Sequence, residues 1–474
     1  MANPNSVNIL EETRVAPSSN SPKSAKEFSL ELTFFDICWF KFPPVECVYF
    51  YELSESDSIP STFNSEILPR LKQSLSLALV HYLPLAGNLT WPSDSPKPII
   101  LYTPNDSVSL TIAESSVKNF DILSGNDMYQ ANLLHPLVPE LKMIADDIAA
   151  ILSLQITLFP HQGFSIGMTA SHGLVDGKVA TMFFKSWAYL FRHGDEAANM
   201  SLPPELTPDY DRSSIKDPTR LDFLYLNDWM TVTASDSPNE RNLKPWQRIS
   251  VRSVPDEMVR ATFGFSKQDV QKLREKVLLK ENSDGTKPQP HLSTFVVSLA
   301  HTITCMIRAK EADPDRPIYI VLAADCRARL DPPLPLTYFG NCVISFKSYS
   351  RATNFMDEEN GFAFAIQMLN DLVEVLRKDI LDGAEEKVRA FFAPKEPGFQ
   401  LISVAGSPQL KFYESDFGLG KLKKVEIVSV DRTGAVAMTE SRDGSGGIEV
   451  SLTLKKHEME HFTSLFSQGF TSNV

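Results

Sequence analysis

Apolar and small or polar residues alternate over Leu154–Phe159 and again over Phe164–Ala170, and Pro160-His-Gln-Gly163 lies between the two runs. Period two on both sides of a Pro/Gly turn predicts a hairpin of half-buried strands. Beyond Gly177 the period changes: Val179, Met182, Phe183, Trp187 and Leu190 recur at three and four, as on one face of a helix. The same reading predicts a strand near Asn8–Val15, a buried aromatic stretch from Leu30 through Asp36 to Trp39 and Phe40, a strand over Val45–Tyr51, and a helix over Glu66–Tyr82 ended by Leu83-Pro-Leu-Ala-Gly87. Strands over Ile99–Tyr102 and Val108–Ala113 and a loop region then lead to the hairpin.

Residues 201–220 carry four prolines and no apolar period, which predicts a linker between domains. The second half repeats the vocabulary of the first. It has strands over Val259–Phe265, Ile318–Asp325, Gln400–Val404, Val425–Val430, Ala435–Ser441 and Gly447–Leu454, and helices over Lys267–Leu279, Ser293–Arg308 and Phe362–Leu381, with a polar loop at Glu281–Pro290. At 474 residues the chain is too long for one core. The expected organisation is α/β (α+β) in two domains, 1–200 and 246–474, joined by a crossover at 201–245.

Charge and composition narrow the function. A net charge of −13 argues against nucleic acid or an anionic membrane as the main partner, while leaving room for a small anionic ligand at a local basic patch. Five scattered cysteines without a CxxC pair suggest reduced thiols and no zinc knuckle. The first fifteen residues lack the basic and apolar regions of a signal peptide, and no apolar run reaches spanning length, so a cytoplasmic protein is expected. The absence of a heptad seam suggests a monomer.

Three clusters carry candidate chemistry. Ser171-His172-Gly-Leu-Val-Asp176-Gly-Lys178 joins strand to helix, so an imidazole and a carboxylate four residues apart are anchored by core on both sides. Its bland alternative is a hydrogen-bonded structural histidine. Asp325-Cys-Arg327 with Tyr338-Phe-Gly-Asn-Cys342, and Asp416-Phe-Gly-Leu-Gly420, each read alone as structural loops. Two decoys are set aside. Gly163-Phe-Ser165-Ile-Gly167 fits a serine-hydrolase pattern, but Ser165 stands inside an alternating run, on the solvent face of a strand, rather than at a strand-to-helix turn. Arg442–Gly447 is glycine-rich without a following helix, so it reads as a hairpin turn and not a phosphate cradle.

Taken together, the clusters resemble the plant BAHD acyl-CoA-dependent acyltransferases. His172-Gly-Leu-Val-Asp176 looks like the HxxxD motif, Tyr338–Cys342 like YFGNC and Asp416–Gly420 like DFGWG, and the likeness runs from about Leu30 to the C-terminus. The context DGKxxTMFxKSWA is most similar to the phenolic glucoside malonyltransferases. The resemblance implies a two-domain fold like chloramphenicol acetyltransferase with a channel between the domains. It implies an acyl-CoA co-substrate, with malonyl-CoA favoured, a phenolic glycoside acceptor, and neither a metal nor a permanently bound cofactor. His172 would be the general base, with Asp416 counted beside it as catalytic. Asp176 would hold the loop through a salt link to Arg327. Lys178, Ser293, Thr294 and Ser407 would meet the acyl-CoA, and Gly418, Leu419 and Gly420 would line the channel. Leu419 stands where relatives carry tryptophan, which opens a hydroxycinnamoyl donor as the alternative; a non-catalytic ligand-binding homologue is the other.

Overall fold

The apolar runs fold where their periods place them. The structure is a computed structural model and describes residues 7–116, 119–234, 241–246, 254–284, 292–310, 313–377 and 380–470. The polar loop expected at Glu281–Pro290 lies mostly outside these residues; its start continues the helix Lys267–Asp284. Strands and helices combine in three mixed α/β layers. A six-stranded sheet runs in the order Val7–Val15, Val108–Ser115, Leu152–Phe159, Gly163–Ala170, Val45–Glu52, Leu422–Ile427. A seven-stranded sheet runs Val343–Arg351, Pro317–Asp325, Gln400–Ala405, Val436–Glu440, Ile448–Lys455, Met258–Phe265, Tyr129–Gln130. A smaller five-stranded sheet is built around Asn88–Thr90 and Ile99–Tyr102.

The two halves of the chain exchange strands. Leu422–Ile427, from the second half, pairs with Val45–Glu52 at the edge of the first sheet. Tyr129–Gln130, from the first half, pairs with Met258–Phe265 in the second. A division at 201–245 is therefore proposed with one exchanged strand on each side.

The exchanged strand is riveted by charge. Lys424, Glu426, Arg260 and Asp431 are all buried. Arg260 Nε lies 2.9 Å from Glu426 and its Nη1 lies 2.7 Å from Asp431, while Lys424 Nζ lies 2.6 Å from Glu426. Two cations and two anions neutralise one another, which is the condition for ions to persist in an apolar interior. Burial alone would raise the Glu426 carboxyl, but Arg260 and Lys424 hold it down to about 2. A depressed carboxylate contributes stability above its ordinary value of 4.5, and that stability is lost as pH falls through about 2. Chemical denaturation should show on the order of 3 kcal/mol disappearing across that window. The Glu426→Gln variant should be less stable at neutral pH and should lack this part of the acid slope. An unchanged slope in the variant would contradict the assignment.

The hairpin Leu152–Phe159/Gly163–Ala170 departs from the sequence expectation in one respect. Every residue of both strands is buried, so the polar face does not meet solvent. The helical turn Ala131–Leu137 covers it, and Gln155 donates to the Pro136 carbonyl at 2.8 Å. Gly167 allows that approach, since a Cβ there would stand 1.9 Å from the Leu137 carbonyl oxygen. Ser165 is thus buried in mid-strand opposite Thr157, and not on a solvent face. Its place in mid-strand still excludes a nucleophile elbow.

Smaller differences have local causes. The helix expected over Phe362–Leu381 spans Gly361–Val375, because Ile380 is buried in a separate turn near Gly383, whose φ is +65°. The strand expected to reach Val430 ends at Ile427, and Val430 opens a short helical turn. Arg442–Gly447 is a hairpin turn, with Ser441 N–H donating to the Gly447 carbonyl. No helix among the described residues is long and apolar enough to cross a membrane.

Candidate active site

His172 lies in the connection between the strand Gly163–Ala170 and the helix Gly177–His193. The helix begins there because Asp176 caps it: its Oδ1 accepts the Val179 N–H at 2.9 Å. Val179, Met182, Phe183, Trp187 and Leu190 are buried, as the period required, and Trp187 donates to Ser74 Oγ on the neighbouring helix Leu68–His81. The connection is thus fixed at both ends before its own contacts are counted.

Those contacts come from the loop Tyr338–Cys342. The Asn341 side-chain amide donates to the His172 carbonyl at 2.8 Å, and the Cys342 N–H donates to Asp176 Oδ2 at 3.2 Å. Arg327 Nη1 stands 2.8 Å from Asp176 Oδ2, and both groups are buried. The same guanidinium reaches Asp325, the Tyr338 carbonyl and the Gly340 carbonyl. Burial opposes its charge, but Asp176 and Asp325 outweigh that and hold its proton more firmly than usual. Asn341 N–H donates to Asp36 Oδ1, and Asp36 pairs with Arg212 from the stretch read as a linker. One five-residue loop therefore ties the His172 connection, the helix Phe34–Trp39, Arg327 and the linker into one hydrogen-bonded unit.

His172 is half-buried. Trp39 stacks on it, with centroids 4.7 Å apart and planes 10° from parallel, and the indole N–H is fixed by the Val343 carbonyl at 3.0 Å. Nδ1 is a buried atom without a hydrogen-bond partner. Burial lowers the His172 pKa from 6.5, with Asp176 and Asn341 opposing only in part. Burial thus favours the neutral imidazole, the form that can accept a proton.

Lys178 is half-exposed in the first turn of the helix, and among the described residues its ammonium has no hydrogen bond or ion pair. Burial, then Lys185 and Arg327, lower its pKa. Ser407 lies in a loop that packs on the same helix end, where Leu410 abuts Gly177 and the Leu410 carbonyl accepts from Lys185. The Ser407 hydroxyl accepts from Gln409 N–H. Ser293 caps the helix Thr294–Ala309 by accepting the Val296 N–H, and Thr294 accepts from Arg274 at 3.0 Å. Among the described residues no hydrogen bond joins Ser293 or Thr294 to the His172 connection.

Asp416 meets the other end of the helix that follows His172. Its carboxylate is exposed and accepts the Gly418 N–H at 2.8 Å, and its carbonyl accepts from Arg192 at the far end of the helix that begins at Gly177. Fifteen residues at 1.5 Å rise separate those ends, so Asp416 stands roughly 20 Å from His172. Gly418 and Gly420 have φ of +71° and +126°, and a Cβ on Gly420 would lie 1.9 Å from the Glu52 carbonyl oxygen. Phe417 packs edge-on against Tyr51, Trp187 and Phe191. The Asp416–Gly420 turn therefore docks the exchanged strand onto the first sheet.

The sequence reading did not single out Trp39, Asp36, Arg212, Asn341 or Arg274. Asn341 lay within a quoted motif, and Trp39 and Asp36 within a stretch expected to be buried. The polar residues Asp36 and Arg212 carried no periodic signal, because their partners are distant in sequence.

Comparison with known proteins agrees with this geometry. A model of the transferase family matches residues 5–468. Phenolic glucoside malonyltransferase 1 of Arabidopsis thaliana is 42% identical, covering 98% of each chain. The malonyl-CoA:anthocyanidin 5-O-glucoside-6''-O-malonyltransferase of Arabidopsis thaliana is also 42% identical, over 99% of this chain and 100% of that one. Agmatine coumaroyltransferase of the same plant is 39% identical, over 97% of this chain and 98% of the other. The crystal structure of vinorine synthase superposes with a TM-score of 0.68 at 19% identity, covering 98% of each chain, so the two share the two-domain, chloramphenicol acetyltransferase-like fold. With motif loops, fold and family model in agreement over nearly the whole length, the chain belongs to the transferase family as an acyl-CoA-dependent acyltransferase of the BAHD type.

Proposed function

We propose that the protein moves a malonyl group from coenzyme A to a sugar hydroxyl of a phenolic glucoside, with His172 as general base. The observation that carries this reading is the pair His172 and Lys178: a half-buried imidazole whose neutral form burial favours, and in the first turn of the helix that follows it an ammonium without a partner among the described residues. Nε2 of His172 takes the proton of the sugar hydroxyl as its oxygen attacks the thioester carbonyl. The tetrahedral intermediate collapses, the C–S bond breaks, and the imidazolium returns the proton to the thiolate. No acyl-enzyme forms and the base is regenerated.

Lys178 supplies the donor preference. Malonyl differs from acetyl by a free carboxylate, and a charge-assisted hydrogen bond to it is worth about 1.5–3 kcal/mol. Lys178→Ala should lower kcat/KM for malonyl-CoA about 10–100-fold and leave acetyl-CoA unchanged. Equal kinetics of wild type and variant on malonyl-CoA would remove the ground for the assignment. The helix N-terminus at Ser293 and Thr294, with the Arg274 guanidinium beside it, offers N–H groups and a cation suited to the phosphates of coenzyme A, and Ser407 borders the Lys178 end of the path. Asp176 and Arg327 hold the loop without touching substrate. The five buried free cysteines fit a reducing, cytoplasmic setting.

A hydroxycinnamoyl donor is the second reading, favoured by the coumaroyl-transferring relative. Leu419, where relatives carry tryptophan, is the sequence feature that goes with it.

A further inference from the structure

His172 sits at one end of a continuous aromatic surface that the reaction scheme does not use. Phe42 meets the imidazole edge-on at 6.1 Å, and Phe391 packs against Phe42 at 5.0 Å and against Trp39 at 5.9 Å. Trp39 is nearly buried and its N–H is satisfied, so it is fixed by the fold. Phe42 and Phe391 are different. Both are half-buried and apolar: Phe42 meets the base, and Phe391 packs on Phe42 and on the Trp39 that stacks on the base. They come from separate elements, Phe42 just past the helix Phe34–Trp39 and Phe391 in the helix Lys387–Phe392.

Their surroundings differ in kind from those of Lys178. Phe42 and Phe391 have aromatic neighbours, with Trp229 behind Phe42 at 5.7 Å, whereas Lys178 is influenced by Lys185, Arg327, Asp325 and Asp176. No residue is common to the two sets. The surroundings of Lys178 are thus suited to an anion, and the rings beside His172 to a flat apolar ring. Aromatic side chains that remain half-open beside a reactive centre gain most from a ring that stacks or packs edge-on against them.

We infer that Phe42 and Phe391 form the platform on which the aromatic aglycone of the acceptor packs, so that the attached sugar presents its hydroxyl to His172 Nε2. The inference rests on the reading of His172 as base and adds which part of the acceptor is recognised, and by what. Recognition through ring packing selects an aromatic aglycone while leaving the sugar free to react. It assigns acceptor preference to two residues that touch no polar group of the substrate.

The test compares phenyl β-glucoside with methyl β-glucoside as acceptors, at saturating malonyl-CoA, for wild type, Phe391→Leu and Phe42→Leu. Leucine keeps an apolar filling and removes the ring. The expected result is a rise of about 3–10-fold in KM for phenyl β-glucoside in each variant, with kcat nearly unchanged and methyl β-glucoside kinetics unaffected. Phe391→Tyr should restore the phenyl preference. A loss shared equally by both acceptors, or no change with either, would overturn the platform and mark the rings as packing only. Absence of transfer from wild type to either glucoside would instead remove the acyltransfer reading, and the platform with it. Failure of the platform alone therefore looks different from failure of the reaction.

Discussion

His172→Ala is expected to remain folded and to lose acyl transfer by about 10²–10⁴ in kcat, the usual worth of a positioned general base. Folding should survive because the connection is held by groups other than the ring. Asn341 bonds the main-chain carbonyl of His172, and Asp176 anchors the far end through Val179, Cys342 and Arg327. The ring itself contributes a stack on Trp39 and an edge contact with Phe42. The pH profile follows from the sign of the shift. The base works unprotonated, and burial lowers its pKa, so the acid limb of kcat/KM should lie below 6.5 and be absent from the residual activity of the variant. A variant that keeps more than a tenth of wild-type kcat would exclude His172 as the base.

The second large effect is on stability. Arg327→Met should cost about 3–5 kcal/mol, because it leaves the Asp176 carboxylate buried without its cation. It also strips the Tyr338 and Gly340 carbonyls of their donors. Arg327→Lys should recover little of this. A single ammonium cannot reproduce a planar fork that reaches two carboxylates and two carbonyls. Denaturant midpoints measure the loss, and activity at low temperature, where the variant is still folded, measures the second consequence. If Asp176 and Arg327 act only by holding the loop, the residual protein should retain the pH profile of the wild type with a reduced kcat. A midpoint within the error of wild type would contradict the account of this pair.

What the sequence revealed and what it concealed divide along one physical line. Local periods placed the strand and helix on either side of His172 to within a residue or two, because each is set by neighbours close in the chain. The helix read over Ser293–Arg308, found at Thr294–Ala309, was legible for the same reason. The Asp176–Arg327 link was reachable only through family resemblance, since 151 residues separate the partners. The covered face of the hairpin was misread because Gln155, Thr157 and Ser165 have the alternation of a solvent face while Ala131–Leu137 lies over them. The role of Asp416 was not legible for a related reason. Its motif is a tight turn that docks an exchanged strand, and nothing in its composition separates a turn built for docking from one built for catalysis. The Arg260–Glu426–Asp431 cluster was invisible because each charge, taken singly, reads as an ordinary surface residue.

The central claim is that this chain joins a malonyl group to the sugar of a phenolic glucoside through His172. Product mass tests it most directly, with purified protein, a set of phenolic glucosides, and malonyl-CoA, acetyl-CoA and p-coumaroyl-CoA offered side by side. The account predicts a malonyl adduct on the glucoside, formed by wild type and not by His172→Ala over the same interval. A coumaroyl adduct in place of the malonyl one, or a malonyl adduct that His172→Ala forms equally fast, would contradict it.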